Sequence, residues 1–365
     1  MRWLAIVMVG VLSAPSVVAA APLTEVHYVM GTYFRITAEH VDESEARVAL
    51  RRCFATARRF DELFSRFDPR SELSRINAAP DERRPVSIEM ASLVRRALEL
   101  QHATDGRFAV SVGSLSDLWR TSTAWPAQAR IDTARRAAGE GSLALHDHVL
   151  VRRAGAQIDV DGIAKGWTVD HCVALLRAAG VARAFLSFGE SSLYALGAPA
   201  GEGGWSVVVR GLNPDNGVGT LKLRDQAVSI SAVFGHERRI GRTRVGHIID
   251  PRSGLPLTSP AIAVVVTASA TDAEAFSKAL LIRDAECSRR GDTGRAPRTW
   301  AEVVSDVSRT ETAVHPEVLE GCREKIRAVT GALLIRSDGV QRIGGIEFTP
   351  FAAAQPIAAA AEPLR

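Results

Sequence analysis

Apolar and polar residues alternate over residues 25–38, around Met30-Gly31-Thr32, as they do along a half-buried β-strand. From 44 to 67 the period changes. Leu50, Phe54, Ala57, Phe60, Phe64 and Phe67 recur at helical spacing, so the strand feeds a long amphipathic helix. Ser87 is a good cap residue, and Met90, Leu93, Val94, Ala97 and Leu98 behind it predict a second helix that stops at Asp105-Gly106. Residues 156–160 read as the end of a strand, after which Val169, Val173 and Leu176 predict a helix stopping at Gly180. Short β-like runs at 184–186, 205–210, 227–231 and 264–267, separated by Gly, Asn and Pro turns, predict antiparallel sheet. A helix at 271–283 follows, and the polar, arginine-rich stretch 289–298 reads as a loop or insertion. Residues 329–348 predict a hairpin turning at Ser337-Asp338-Gly339, and the Ala/Pro-rich tail 352–365 predicts disorder. No internal repeat is present.

Composition narrows the class. With 365 residues, 46% hydrophobic and 24% charged, the chain can bury a sizeable core in one large domain or two modest ones. The formal net charge of +4 is small and its basic residues are scattered, which argues against nucleic-acid binding. Met1-Arg2, an apolar run over 3–12, Ser13-Ala14-Pro15 and Ala19-Ala20-Ala21 stand in the order of a signal peptide, taken as residues 1–20. That run is short for a membrane span, and no cysteine stands near the cleavage region to carry a lipid. The expectation is an exported, periplasmic protein, soluble rather than lipid-anchored and not an integral membrane protein. Cys53, Cys172, Cys287 and Cys322 contain no Cys-x-x-Cys pair, which disfavours zinc. Cys287 and Cys322 are candidates for a disulfide around the hydrophilic segment, whereas Cys53 and Cys172 sit on helical patterns as expected of buried thiols.

The chemistry concentrates at residues 158–167, where Asp159, Asp161, Gly162, Lys165 and Gly166 interrupt an apolar run just as it turns helical. Backbone N–H groups at a helix start attract anionic oxygens, and Lys165 adds a point charge. The alternative is a tight turn with a solvated Lys165, since the phosphate-loop pattern Gly-x-x-x-x-Gly-Lys-[Ser/Thr] is not matched.

The order of several clusters along the chain is more specific. Met30-Gly31-Thr32, Phe64-Ser65-Arg66-Phe67 with residues 71–77, Gly106-Arg107-Phe108, residues 159–166, and Gly246-His247-Ile248-Ile249-Asp250-Pro251-Arg252-Ser253-Gly254 follow one another in a pattern that resembles the ApbE family, the FAD:protein FMN transferases. The resemblance covers residues 25–348. It implies an α+β fold, T-fold-related, with two subdomains, mostly antiparallel sheet and a cofactor cleft between them. The flavin-binding domain would span 24–350, with a polar insertion at about 286–325. The implied substrate is FAD, usually with Mg²⁺, and the FMN half passes to a Thr or Ser hydroxyl of an acceptor flavoprotein while AMP leaves. By position the resemblance assigns FAD contacts to Met30, Phe67, Arg107, Phe108, Ala109, Asp159, Lys165 and Ile248, with Ala109 standing where an aspartate is usual. It makes His247 the proton acceptor, a role suited to a side chain that titrates near neutrality. The alternatives are core packing for Met30 and Phe67, and a structural role for His247 in orienting the turn at 250–254.

The implied metal site departs most. A carbonyl at Gly162 would join an aspartate and a threonine of a late Asp-Ala-x-x-Thr-Ala helix, but the matching residues here are Glu274 and Lys278. An ammonium cannot ligate Mg²⁺, and Asp272, two residues earlier, faces another side of the helix. Locally, Thr271 to Glu274 fits a capping box and Glu274 with Lys278 an i,i+4 ion pair. The sharper expectation is that the Lys278 ammonium stands where the metal would. Ser187-Phe188-Gly189-Glu190-Ser191-Ser192 and Ser229-Ile230-Ser231-Ala232 depart from the family pattern as well. They leave room for a non-catalytic or weakly FAD-hydrolysing relative, whereas an unrelated exported hydrolase lacks a recognisable nucleophile motif.

Overall fold

Residues 22–289 and 329–356, apart from 41, 80 and 81, are described by a computed structural model. The signal-peptide region, most of the polar segment with Cys322, and residues 357–365 lie outside the described residues.

The alternating run at 25–38 is two strands rather than one. β1 (Leu23–Val29) and β2 (Thr32–Glu39) form an antiparallel hairpin, because Met30 and Gly31 both take positive φ, 49° and 73°, and reverse the chain in two residues. α1 (Glu43–Phe64) starts at Asp42, whose carboxylate accepts from the N–H groups of Ser44 and Glu45, and buries Leu50, Phe54, Ala57, Phe60 and Phe64. Phe67 falls beyond its end. α2 (Glu72–Ala78), α3 (Ile88–Ala103), α4 (Gly113–Thr121) and α5 (Gln128–Ala138) form a helical region with the small sheet β3 (Arg83–Pro85), β4 (Leu143–His146) and β5 (Val149–Arg152). Ser87 caps α3 as expected, accepting from Met90 N–H at 3.1 Å.

The main sheet has eight strands in the order β1-β2-β6-β7-β10-β13-β14-β15, each pair antiparallel. Its later strands are β6 (Arg183–Phe188), β7 (Ser192–Leu196), β10 (Gln226–Ala232), β13 (Ile262–Thr267), β14 (Val329–Arg336) and β15 (Gly339–Gly344). One face packs on α1, α6 (Ala164–Ala178) and α7 (Ala270–Arg289). The other meets a second sheet of β8 (Trp205–Arg210), β9 (Asn216–Leu223) and β16 (Phe348–Pro356). This layering explains the sequence of β13, Ile-Ala-Val-Val-Val-Thr, which does not alternate. Ala263 and Val265 enter the helix-side core while Ile262, Val264 and Val266 enter the sheet-side core, so both faces are buried. The tail corrects one expectation: residues up to Pro356 pair with β9 instead of being disordered from 352.

α6 and α7 cross closely. A Cβ on Gly166 would sit 2.4 Å from the Ala270 carbonyl oxygen, so that glycine is required by the helix contact. Asp170 on α6 completes the contact, accepting from Ser269 Oγ (2.7 Å), Ala270 N–H (2.7 Å), Thr271 N–H (3.0 Å) and Thr271 Oγ1 (2.6 Å). The start of α7 is therefore capped from another helix, and the local capping box expected from Thr271 and Glu274 does not form. The reason is tertiary: Glu274 is needed elsewhere. Cys53 and Cys172 are buried free thiols on α1 and α6, each Sγ–H directed at the other's backbone carbonyl.

Candidate functional site

Residues 156–160 belong to no named strand, and 161–163 form a turn. The Asn77 carboxamide takes the place of a strand partner, donating from Nδ2 to Ile158 O and accepting from Ile158 N–H, both at 2.8 Å. A bridge from Gln157 to Val112 and a bond from Asp159 N–H to Val110 O (2.8 Å) hold the rest. The chain then turns through Ile163 and Ala164, whose N–H groups both reach Val160 O, and α6 begins. The strand expected here is thus a pinned loop, and the pinning aims Asp159, Asp161 and Lys165 into one place.

Arg66 organises the acidic side. Its nearly buried guanidinium forks between Asp159 and Asp117, the second bond measuring 2.7 Å. Asp159 in turn accepts from Asp161 N–H at 3.1 Å. The Asp161 side chain keeps contact with solvent, yet loss of hydration in the cleft and the neighbouring Asp159 charge push its carboxyl up to about 7. Water on its open side screens part of that effect. Lys165 Nζ reaches across to Ser191 Oγ at 2.9 Å, tying α6 to the turn before β7.

Glu274 and Lys278 project from α7. Each oxygen of the buried Glu274 carboxylate accepts a hydrogen bond, one from Gly166 N–H at 2.9 Å and the other from Ser192 Oγ. Lys278 does not pair with that carboxylate. Its ammonium donates to the Glu274 backbone carbonyl at 3.0 Å, and its stem lies over Gly162, Cε and Cδ being 3.5 and 3.6 Å from where a Gly162 Cβ would stand. Phe108 flanks the same glycine, with its ring 3.2 Å from that point. Removal from water holds the Lys278 ammonium down to about 8; Glu274 opposes the shift and Lys165 adds to it. His247 faces the same group with its ring edge-on to His236, centroids 5.7 Å apart. Although its ring touches solvent, loss of hydration on its protein-facing side, with His236, Lys278 and Lys165 nearby, pushes the imidazole down to about 4. His247 is neutral at pH 7. The turn after it is built by Asp250, which accepts from Arg252 N–H (3.0 Å) and Ser253 Oγ (2.7 Å).

The structure therefore brings together Phe108, Asp159, Gly162, Lys165, His247, Glu274 and Lys278. The others lie around this group. Met30 sits in the hairpin turn with its N–H bonded to Asp61 (3.1 Å) and its sulfur 3.8 Å from Thr168 Oγ1. Positive φ is unusual for methionine and is stabilised here by tertiary contacts. Phe67 is 70% exposed, beside the Arg66 guanidinium, so core packing does not account for it. Arg107 is buried against Glu286, at 3.0 and 3.2 Å, and Ala109 and Ile248 are core residues. Arg66, Asp117, Asp161, Ser191 and Ser192 were absent from the candidate residues. The Asp161 carboxylate beside Asp159 was legible in sequence, whereas the partners of Arg66 and Glu274 lie 51 to 108 residues away.

A model of the ApbE family matches residues 30–290. The chain belongs to the ApbE family. Among curated relatives, a FAD:protein FMN transferase of Salmonella typhimurium is 28% identical over 302 residues, covering 76% of this chain and 84% of that protein. One of Klebsiella pneumoniae is 26% identical over 267 residues, covering 69% and 76%. The fold of this ApbE-family protein is shared with the crystal structure of the Thermotoga maritima ApbE protein, at a TM-score of 0.72 and 22% identity, covering 88% of this chain and 97% of that one. The flavin transferase ApbE of Vibrio cholerae aligns with a TM-score of 0.67 at 19% identity, covering 89% and 97%. The α+β architecture with mostly antiparallel sheet expected from sequence is the one observed.

The residues at the implied magnesium position do not suit that ion. Mg²⁺ takes oxygen donors in a tight octahedron. Both Glu274 oxygens are already engaged, Lys278 offers only N–H donors, and Asp272 is held by Arg96 at 2.5 to 3.0 Å. Among the described residues no group of three or more His, Cys, Asp or Glu side chains could hold a metal.

Proposed function

We propose that this protein is a FAD:protein FMN transferase, which moves the FMN half of FAD onto a Thr or Ser hydroxyl of an acceptor flavoprotein and releases AMP. The observation that carries the reading is the convergence of Lys165, Lys278 and His247 on the start of α6, in a chain of the ApbE family. The signal-peptide order of the first residues supports export to the periplasm, where the acceptor would be met. Among the described residues, no helix is long and apolar enough to cross a membrane.

In the proposed reaction the acceptor hydroxyl oxygen attacks the phosphorus on the FMN side of the pyrophosphate. A new P–O ester bond forms, the bridging P–O bond breaks, and its electron pair leaves on AMP. The hydroxyl proton passes to His247, whose neutral imidazole is open to accept it. A base pushed this low accepts late, once bonding to phosphorus has made the hydroxyl acidic. Lys165 and Lys278 face the charge that builds on the phosphoryl oxygens, and fixed cations in a partly dehydrated cleft stabilise it more than water does. The exposed Phe67 offers a face for flavin or adenine stacking.

Purified protein incubated with FAD and a Ser/Thr-containing flavoprotein acceptor tests this reading. The acceptor should gain the mass of FMN, with one AMP released per acceptor. Bound flavin with no mass gain would identify a binding protein instead.

A further inference from the structure

We propose that the Lys278 ammonium, in place of a divalent metal ion, meets the pyrophosphate of FAD, so that this protein binds and cleaves FAD without magnesium. The inference rests on the flavin reading above and on three features of α7 and its surroundings.

The first is the spent oxygen set. Besides Glu274 and Asp272, the nearby Ser277 hydroxyl is taken by Ser229 (3.1 Å), Ser231 (2.7 Å) and the Glu274 carbonyl (3.0 Å). Of the remaining carboxylates, Asp159 is held by Arg66, which leaves Asp161, so a magnesium ion here would rest on one carboxylate, substrate phosphates and water. The second is occupancy. The Lys278 stem lies against Gly162 at van der Waals distance from where its Cβ would stand, so the residue that departs from the family pattern packs on that glycine. The third is donor count. An ammonium has three N–H bonds, and among the described residues its acceptor is the Glu274 carbonyl, so two donors remain for a ligand.

Charge fits the same assignment. Lys278 faces Glu274 on its own helix, Lys165 from α6 and His247 from the loop before the Asp250 turn. Glu274 directs its oxygens to Gly166 N–H and Ser192 Oγ rather than to the ammonium, and two ammonium groups lie near one another in one partly dehydrated place. An anion with several oxygens, such as a pyrophosphate, relieves that repulsion, whereas a divalent cation adds to it. The bonds made and broken are those of the transfer reaction above, and no metal is needed to balance them.

FAD binding to the full chain, read by flavin fluorescence, and AMP release in the presence of acceptor are measured in EDTA and in excess Mg²⁺. Both should agree within about twofold, and calorimetry should detect no Mg²⁺ binding to the protein with FAD bound. K278M should weaken FAD binding in EDTA by about tenfold or more, without recovery in Mg²⁺. Its thermal midpoint should stay level or rise, which separates loss of the site from loss of the fold. A wild-type dependence on Mg²⁺ beyond about tenfold, stoichiometric Mg²⁺ binding, or wild-type FAD affinity in folded K278M would overturn the proposal. Folded wild-type protein that binds no FAD in either medium would instead remove the flavin reading on which it rests.

Discussion

Two helix starts lie side by side in this molecule and are treated in opposite ways. At the start of α7 the N–H groups of Ala270 and Thr271 and two hydroxyls are satisfied by one carboxylate, Asp170, with four bonds of 2.6 to 3.0 Å. At the start of α6, Glu274 satisfies Gly166 N–H, and the ammonium groups of Lys165 and Lys278 are left beside it with donors to spare. A carboxylate supplied by the fold makes the first junction structural. Cations without a full set of protein acceptors make the second one a place for a ligand.

The largest effect should come from breaking the structural start. Burial pushes the Asp170 carboxyl up, against the bonds from Thr271, Ala270 and Ser269 that favour its charge. D170A leaves those donors buried and unpaired, and should cost about 3 kcal/mol in urea unfolding. At the ligand-facing start, H247A should lower FMN transfer by about 100-fold, with thermal stability unchanged because its ring is solvent-exposed. K278M, at about tenfold in FAD affinity, sharpens the contrast, since it should raise stability by about 1 kcal/mol while D170A lowers it. The smallest effect is on pH. Lys278 is held down to about 8, so the free protein carries the cation below that value and loses it above. Bound pyrophosphate raises the ammonium's pKa, so FAD affinity should be level below about pH 8 and fall several-fold toward about pH 10, a fall that K278R should abolish.

The same contrast runs through what could be read beforehand. α1, α3 and the end of α6 at Gly180 follow from periodicity and caps, because amphipathic helices display their buried face in one dimension. The segment at 156–160 misled for a definite reason: its strand partner is the Asn77 side chain, and no local pattern announces a carboxamide acting as a strand. The Met30-Gly31 turn was hidden because methionine rarely takes positive φ, and the contacts that hold it there come from α1 and α6. The local alternatives for Glu274, a capping box and an i,i+4 pair, are both sound on an isolated helix, but in the fold its carboxylate reaches Gly166 and Ser192 instead.

The sequence by itself determined the family, the α+β class and the cluster of charged and glycine residues at 159–166, because these depend on residue order and on periods shorter than ten residues. Tertiary structure alone decided which charges are spent and which remain. Arg66 reaches Asp159 across 93 residues and Glu274 reaches Gly166 across 108, and only a folded chain brings such partners within hydrogen-bond distance. A side chain's chemistry depends on its nearest neighbours in space, so Glu274 is a structural bridge and Lys278 a cation bonded to the Glu274 backbone carbonyl, although both stand at positions that resemble metal ligands.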